Sequence, residues 1–290
     1  MNKEHKFLSI ISSKLNDSSF IGNDCAYLPE YNITISSDSL IEDVHFSRKF
    51  MNIREIARKA LLANISDILA SGAELKYATI NISGKLNEAF IKEFYEEVSL
   101  IEKEFNIKII GGDLTKSEKL AIAITIIGDC KNRNISSRSN AKENYIIATA
   151  GEFGSSAQGL HDLYNNIKDN YFIDYHKNPK LFPHISRKIA TITRKPYAMM
   201  DSSDGLSDCL LQISQKSNIK MKIDYSKIPH KTSNKNFILN GGEDYSLVIC
   251  LDENDFKNID GLTQIGTCLK GEGVFIDENE LKYEGYTHFE

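Results

Sequence analysis

Leu120-Ala-Ile-Ala-Ile-Thr-Ile-Ile127 is apolar almost throughout and is bounded by polar segments. A short run of this kind reads as a central strand buried on both faces, the mark of a layered protein that mixes helices with sheet. Upstream, Ile107 to Ile110 reads as a short buried strand broken by Gly111-Gly112-Asp113, and Leu75 to Ile82 as another strand. Between them, Phe90, Phe94, Val98, Ile101 and Phe105 fall on one face of a long helix. From Asn52 a second helical pattern begins, with Asn52 as cap, Glu55 three residues later, Asp67 inside it and Gly72 closing it. Asn32 to Ser36 alternates as a half-buried strand does and places Asp38 just beyond its end.

Downstream, Lys131 to Asn144 is polar and charged and is the best linker in the chain. Beyond it, strands are expected at Tyr145 to Thr149, Ile219 to Ile223 and Tyr245 to Leu251, and Ala198 to Met200 reads as an apolar stub running into Asp201. Helices are expected at Ser155 to Leu163 and Leu206 to Gln215. The expected division is therefore residues 1–137 and 138–290. The length of 290 residues allows two such domains.

Composition narrows the function. With 41% hydrophobic and 26% charged residues the chain is unlike disordered, collagen-like or membrane proteins. A net charge of -5 argues against a nucleic-acid partner, which calls for a basic face. No apolar run approaches the ~20 residues that span a bilayer. Met1 to Leu15 reads as a short amphipathic helix and not as a signal peptide. The five cysteines are widely spaced without a C-x-x-C pair, which points to a reducing cytoplasm and to neither disulfides nor zinc.

The chemistry lies in a repeated context. Asp24 follows Gly22-Asn23, Asp38 follows Ser36-Ser37, Asp113 follows Gly111-Gly112, Asp201 and Asp204 bracket Ser202-Ser203, and Glu243 follows Gly241-Gly242. Glycine lets a phosphate approach the backbone, and hydroxyls add oxygen ligands. Carboxylates beside them would repel phosphate unless divalent cations lay between, which is the chemistry of magnesium and nucleotide phosphates. One acid after a strand is more often a turn or a helix cap; five such words in one chain favour a shared site. The G-x-x-x-x-G-K-[ST] loop, the protein-kinase catalytic loop, the G-x-G-x-x-G fingerprint and the G-x-S-x-G elbow are all absent from the sequence.

Taken together the words resemble the thiamine-monophosphate kinases, of the superfamily that includes aminoimidazole ribonucleotide synthetase, selenophosphate synthetase and the hydrogenase-maturation dehydratase. The matching stretches run in order: Ile21 to Ala26, Ile35 to Leu40 with Val44-His45-Phe46, Lys59 to Asp67 with Ser71-Gly72-Ala73, Ile110 to Thr115, Ser137-Arg138-Ser139, Asp201 to Leu206, Asn240 to Tyr245, and Gly285 to Phe289. Departures include Asn23, where the family usually has aspartate, and Thr287 near the end. The resemblance implies an α/β N-terminal domain that pairs its sheet across a homodimer, then an α+β domain, with ATP in the groove between them. It also implies direct transfer of a phosphoryl group from ATP to thiamine monophosphate. Asp24, Ser36, Ser37, Asp38, Asp67, Asp113, Asp201 and Asp204 would bind several Mg²⁺ ions, with Asp67, Asp113 and Asp204 closest to the chemistry. Gly112, Asp113, Arg138 and Ser203 would contact ATP, and His45, Glu243 and Tyr286 thiamine monophosphate. Another ATP-using activity of the superfamily, or a sensor that binds nucleotide or thiamine phosphate without turnover, remains open on sequence alone.

Overall fold

The computed structural model describes residues 3–168 and 170–285. Its first layer is a five-stranded sheet of β1 (Ala26–Leu28), β2 (Ile33–Ile41), β3 (Glu74–Gly84), β4 (Lys108–Lys116) and β5 (Ala121–Asp129), in the order β1-β2-β5-β3-β4. The apolar stretch Leu120 to Ile127 thus supplies most of the middle strand, β5. Its alternation is nevertheless one-sided: Ile122, Ile124 and Ile126 are fully buried, while Ala123, Thr125 and Ile127 on the other face are only partly covered. The covering layer is made by helices α2 (Ile53–Ser71) and α3 (Glu88–Phe105), which follow α1 (Lys3–Lys14) in the chain. Among the described residues, no helix lays a second apolar layer on the opposite face.

Helix α2 begins with a complete capping box. The Asn52 side chain accepts from the Glu55 N–H, and the Glu55 carboxylate accepts from the Asn52 N–H. It ends at Gly72, whose left-handed φ of 85° lets its N–H reach the Leu69 carbonyl. Almost every side of α2 is buried, including Lys59, Asn64 and Ser66. The reason is its place between the first sheet and a second one.

That second sheet has seven strands: β6 (Ile146–Ala150), β7 (Ala198–Asp201), β8 (Lys220–Ile223), β9 (Leu247–Leu251), β10 (Thr263–Leu269), β11 (Val274–Ile276) and β12 (Asn279–Glu280). The order is β12-β11-β8-β10-β6-β9-β7, antiparallel except where β11 pairs with β8. Helices α4 (Ser155–Tyr164), α5 (Tyr171–Lys177), α6 (Pro183–Ile192), α7 (Leu206–Ser217), α8 (Lys235–Asn240) and α9 (Glu253–Lys257) complete it. Strands β6, β7 and β9 are buried along their whole length. Among the described residues no helix is long and apolar enough to cross a membrane.

Further sequence expectations change, beginning with Ile107 to Ile110, read as a buried strand: β4 is exposed at nearly every position, as an edge strand is. Gly111-Gly112-Asp113 does not break its strand: β4 continues through it, paired in parallel with β3. Glycine is required there for close approach, because a Cβ on Gly112, at φ 156°, would fall 1.8 Å from the Ile80 carbonyl oxygen. Likewise Asp38 lies within β2 and not beyond it, since β5 pairs with β2 all the way to Ile41.

Candidate active site

Four aspartates converge where β2, α2 and β7 meet. Asp24 comes from the loop before β1, Asp38 from β2, Asp67 from α2 and Asp201 from the end of β7. Carboxylate oxygens of Asp24, Asp67 and Asp201 all lie within 4.8 Å of one another. Ser36 donates its hydroxyl to Asp67, and Ser66 donates to Asp201 at 2.7 Å. Asp38 is tied in through its backbone N–H, which donates to Asn64 Oδ1 at 3.0 Å.

This crowding has an electrostatic signature. Burial, then the charges of Asp201, Asp38 and Asp24, push the Asp67 carboxyl well above its ordinary range. Burial and Asp24 raise Asp201 to about 8, against a lowering by the Ser66 hydroxyl, and the same two causes raise Asp38. Arg138 offers partial relief, its guanidinium 2.6 Å from an Asp24 oxygen with both side chains largely buried. One guanidinium does not balance four carboxylates. A hard divalent cation among these oxygens would relieve the repulsion, and the all-oxygen donor set suits magnesium.

Two cavities flank the cluster. The first, about 540 Å³, is lined by Asp38, His45, Asp67, Ser203, Asp204 and Glu243 among others. The second, about 860 Å³, is lined by Gly22, Arg138, Gln212, Lys216 and Tyr283, and again by Ser203 and Asp204. Ser203-Asp204 is the wall they share. The loop that carries it docks backbone to backbone on the loop that carries Glu243: the Glu243 N–H donates to the Ser203 carbonyl at 2.7 Å. A Cβ on Gly242 would stand 2.4 Å from that same carbonyl oxygen, so only glycine permits the contact.

His45 and Glu243, both on the wall of the first cavity, have defined surroundings. The Ile41 N–H donates to His45 Nδ1 at 3.1 Å, so the proton of a neutral His45 sits on Nε2. Burial pushes the Glu243 carboxyl up, but Lys59, His176 and His45 together outweigh it and hold the group below its ordinary range.

Not every expected residue joins the cluster. Ser37 lies on β2 between Ser36 and Asp38, and strand alternation sends its side chain to the opposite face, where it bonds the Thr125 hydroxyl at 3.0 Å. Gly112 and Asp113 are on β4, the far edge of the sheet, with β3 and β5 between them and β2; Asp113 accepts from Thr115 Oγ1 at 3.0 Å. Within one chain they stay apart from Asp24, Asp67 and Asp201. Tyr286 lies outside the described residues. Sequence reasoning missed Lys59, Ser66 and His176. Lys59 had a signal, a charge on the otherwise apolar stripe of α2, whereas His176 had none.

Comparison with known proteins gives this geometry its context. The family model for the N-terminal domain of AIR synthase related proteins matches residues 22–130. The chain is 33% identical to thiamine-monophosphate kinase of Bacillus subtilis (strain 168), across 82% of this chain and 78% of that one. It is 32% identical to thiamine-monophosphate kinase of Buchnera aphidicola subsp. Acyrthosiphon pisum, across 95% and 94%.

The chain belongs to the thiamine-monophosphate kinase family. Its fold agrees over the full length: a solved structure described as AaThiL complexed with AMPPCP and TMP superposes with a TM-score of 0.89 at 28% identity, covering 100% of this chain and 99% of that one. The thiamine-monophosphate kinase of Aquifex aeolicus superposes with a TM-score of 0.87 at 26% identity, covering 97% and 99%. In this chain the words that hold Asp38, Asp204 and Glu243 line the two ligand-sized cavities beside the aspartate cluster, whereas Gly111-Gly112-Asp113 lies apart on β4.

Proposed function

We propose that the chain transfers the terminal phosphoryl group of ATP to thiamine monophosphate, forming thiamine diphosphate and ADP. The observation that carries this reading is the pair of cavities that meet at Ser203-Asp204 beside the buried aspartate cluster. ATP is assigned to the larger cavity, with Arg138 and Ser203 toward its phosphates. Thiamine monophosphate is assigned to the smaller one, between His45 and Glu243. The attacking group is a phosphate oxygen of the substrate, already an anion near neutral pH, so the protein needs position and charge neutralisation more than a general base. Mg²⁺ held by Asp24, Asp38, Asp67 and Asp201, with Asp204 at the shared wall, would supply positive charge to the phosphates. Arg138 keeps Asp24 paired, and Ser36 and Ser66 fix the carboxylates of Asp67 and Asp201. The setting we assign is the cytoplasm, in keeping with five cysteines that are all unpaired and buried.

The test is a panel of phosphate acceptors with ATP and Mg²⁺, with ADP and thiamine diphosphate both measured. Stoichiometric thiamine diphosphate from thiamine monophosphate is expected; ATP binding without that product would overturn the reading in favour of a sensor. A single substitution probes the substrate side. His45→Ala is expected to raise KM for thiamine monophosphate about fivefold, the cost of one lost hydrogen bond, with KM for ATP nearly unchanged. Equal effects on both substrates would assign His45 a structural role.

The open face of the first sheet supports a homodimer. Ile35, Ile127 and Tyr77 lie side by side on β2, β5 and β3, in a row that no helix covers among the described residues. An uncovered apolar sheet face is an interaction surface. Ile127→Asp is expected to yield a monomer by light scattering at micromolar concentration, with the far-ultraviolet dichroism unchanged. A wild-type monomer with full activity would remove the dimer from this account.

A further inference from the structure

At the wall of the 540 Å³ cavity, Ser156, His176 and Glu243 belong to a polar network that reaches back to the buried Lys59. Lys59, on α2 two turns before Asp67, has a side chain with no solvent exposure at all, and its Nζ lies 2.9 Å from Glu243 Oε2. His176, on α5, packs against both: its Nε2 is 3.4 Å from Lys59 Nζ and its Nδ1 is 3.7 Å from Glu243 Oε2. The same Nδ1 is 2.9 Å from the hydroxyl of Ser156, at the start of α4. An ammonium has only donors, so the His176 nitrogen that faces it acts as acceptor, and the imidazole proton sits on Nδ1, toward Ser156. Burial and the neighbouring Lys59 charge keep the ring neutral by pushing its pKa down to about 4.

A buried ammonium is costly unless it is paired, and Glu243 is the carboxylate with which it pairs. Glu243 in turn sits at φ 63°, a left-handed conformation that non-glycine residues adopt sparingly. Its side chain remains 26% exposed, and it lines both the 540 Å³ cavity and a smaller adjoining one of about 270 Å³ between His45 and Phe50. One carboxylate is thus gripped from behind and presented to two connected spaces in front.

We infer that Lys59, His176 and Ser156 are positioning residues that hold Glu243 as an oriented, ionised acceptor for the ring end of thiamine monophosphate; Lys59 lines neither cavity and acts through Glu243 alone, while His176 and Ser156 also form part of the wall of the 540 Å³ cavity. The inference rests on the kinase reading above. Lys59 makes Glu243 an anion at a defined place; the neutral His176, locked by Ser156, stops the carboxylate from rotating toward a second partner. A thiazolium cation and an aminopyrimidine both offer what such an acceptor binds, positive charge and N–H donors.

The experiment is a double-mutant cycle on the full chain, read by steady-state kinetics with each substrate varied and by calorimetric titration of thiamine monophosphate. Lys59→Met and Glu243→Gln are each expected to raise KM and Kd for thiamine monophosphate about tenfold, with KM for ATP within twofold of wild type. The double variant is expected to be no worse than Glu243→Gln alone, because Lys59 then has nothing left to position. Additive losses, or a parallel rise in KM for ATP, would overturn the inference and leave Lys59 as a structural residue. If Lys59→Met does not fold, His176→Gln and His176→Phe carry the test: Gln, which still donates and accepts, should keep near-wild-type KM, and Phe should lose it, whereas equal values would overturn the inference. Wild type that binds thiamine monophosphate but forms no thiamine diphosphate would overturn the reaction, while the Kd values of the variants would still decide the positioning role.

Discussion

Asp67→Asn is expected to lower turnover by about 10³-fold while the protein stays folded. The substitution keeps the size of the side chain and an acceptor for the Ser36 hydroxyl, so packing is preserved and one charge is lost. The physical signature is a change of sign in stability. In metal-free buffer, Asp24, Asp67 and Asp201 within 4.8 Å of one another, with Asp38 beside them, are costly to ionise together in a buried site, whether the cost is met as repulsion or as proton uptake. Removing one charge should relieve on the order of 1 kcal/mol and raise the metal-free Tm by about 2–4 °C. The extra stability that wild type gains on addition of Mg²⁺ should shrink correspondingly. Thermal melts with and without Mg²⁺, run beside the kinase assay, check both halves. A variant that keeps most of its turnover, or whose Tm responds to Mg²⁺ as wild type does, would remove Asp67 from the metal site.

Arg138→Ala should act on the other substrate. Its guanidinium lies in the larger cavity, pairs with Asp24 at 2.6 Å and also donates to Gln212. If that cavity takes ATP as proposed, loss of the planar cation is expected to raise KM for ATP about tenfold or more, with KM for thiamine monophosphate nearly unchanged. Stability should fall too, by about 3 kcal/mol in metal-free buffer, because Asp24 is left buried without its partner. Mg²⁺ should restore part of that loss, since a cation at the cluster replaces the missing charge. An Arg138→Ala protein with unchanged KM for ATP would place the arginine in the fold and not in the nucleotide site.

These two residues also show how far the chain could be read unaided. Asp67 was legible because local signals surrounded it: the Asn52 and Glu55 capping box, the helical spacing of apolar residues and the closing Gly72 are all interactions within one helix. The middle strand at Leu120 to Ile127 was legible for the same reason, an apolar run of the right length. Its one-sided burial was not. Whether a second layer covers a strand depends on where other elements pack, and here α2 and α3 both lie on the same side.

The acidic words themselves, with their glycines and serines, were determined by the sequence, and so was the chemistry of oxygen ligands and phosphate. Only the tertiary structure decided which members meet. Ser36 and Ser37 are neighbours in one word, yet the two-residue period of β2 directs the first to Asp67 and the second to Thr125 on the opposite face. Gly111-Gly112 looked like a break but continues a strand, because the β3 backbone offers it a parallel partner. Lys59 and Glu243, 184 positions apart, form one ion pair that no local pattern announces. Spacing along the chain encodes the bonds that close within a helix or strand; a buried charge and its partner are brought together only when the two sheets close over α2.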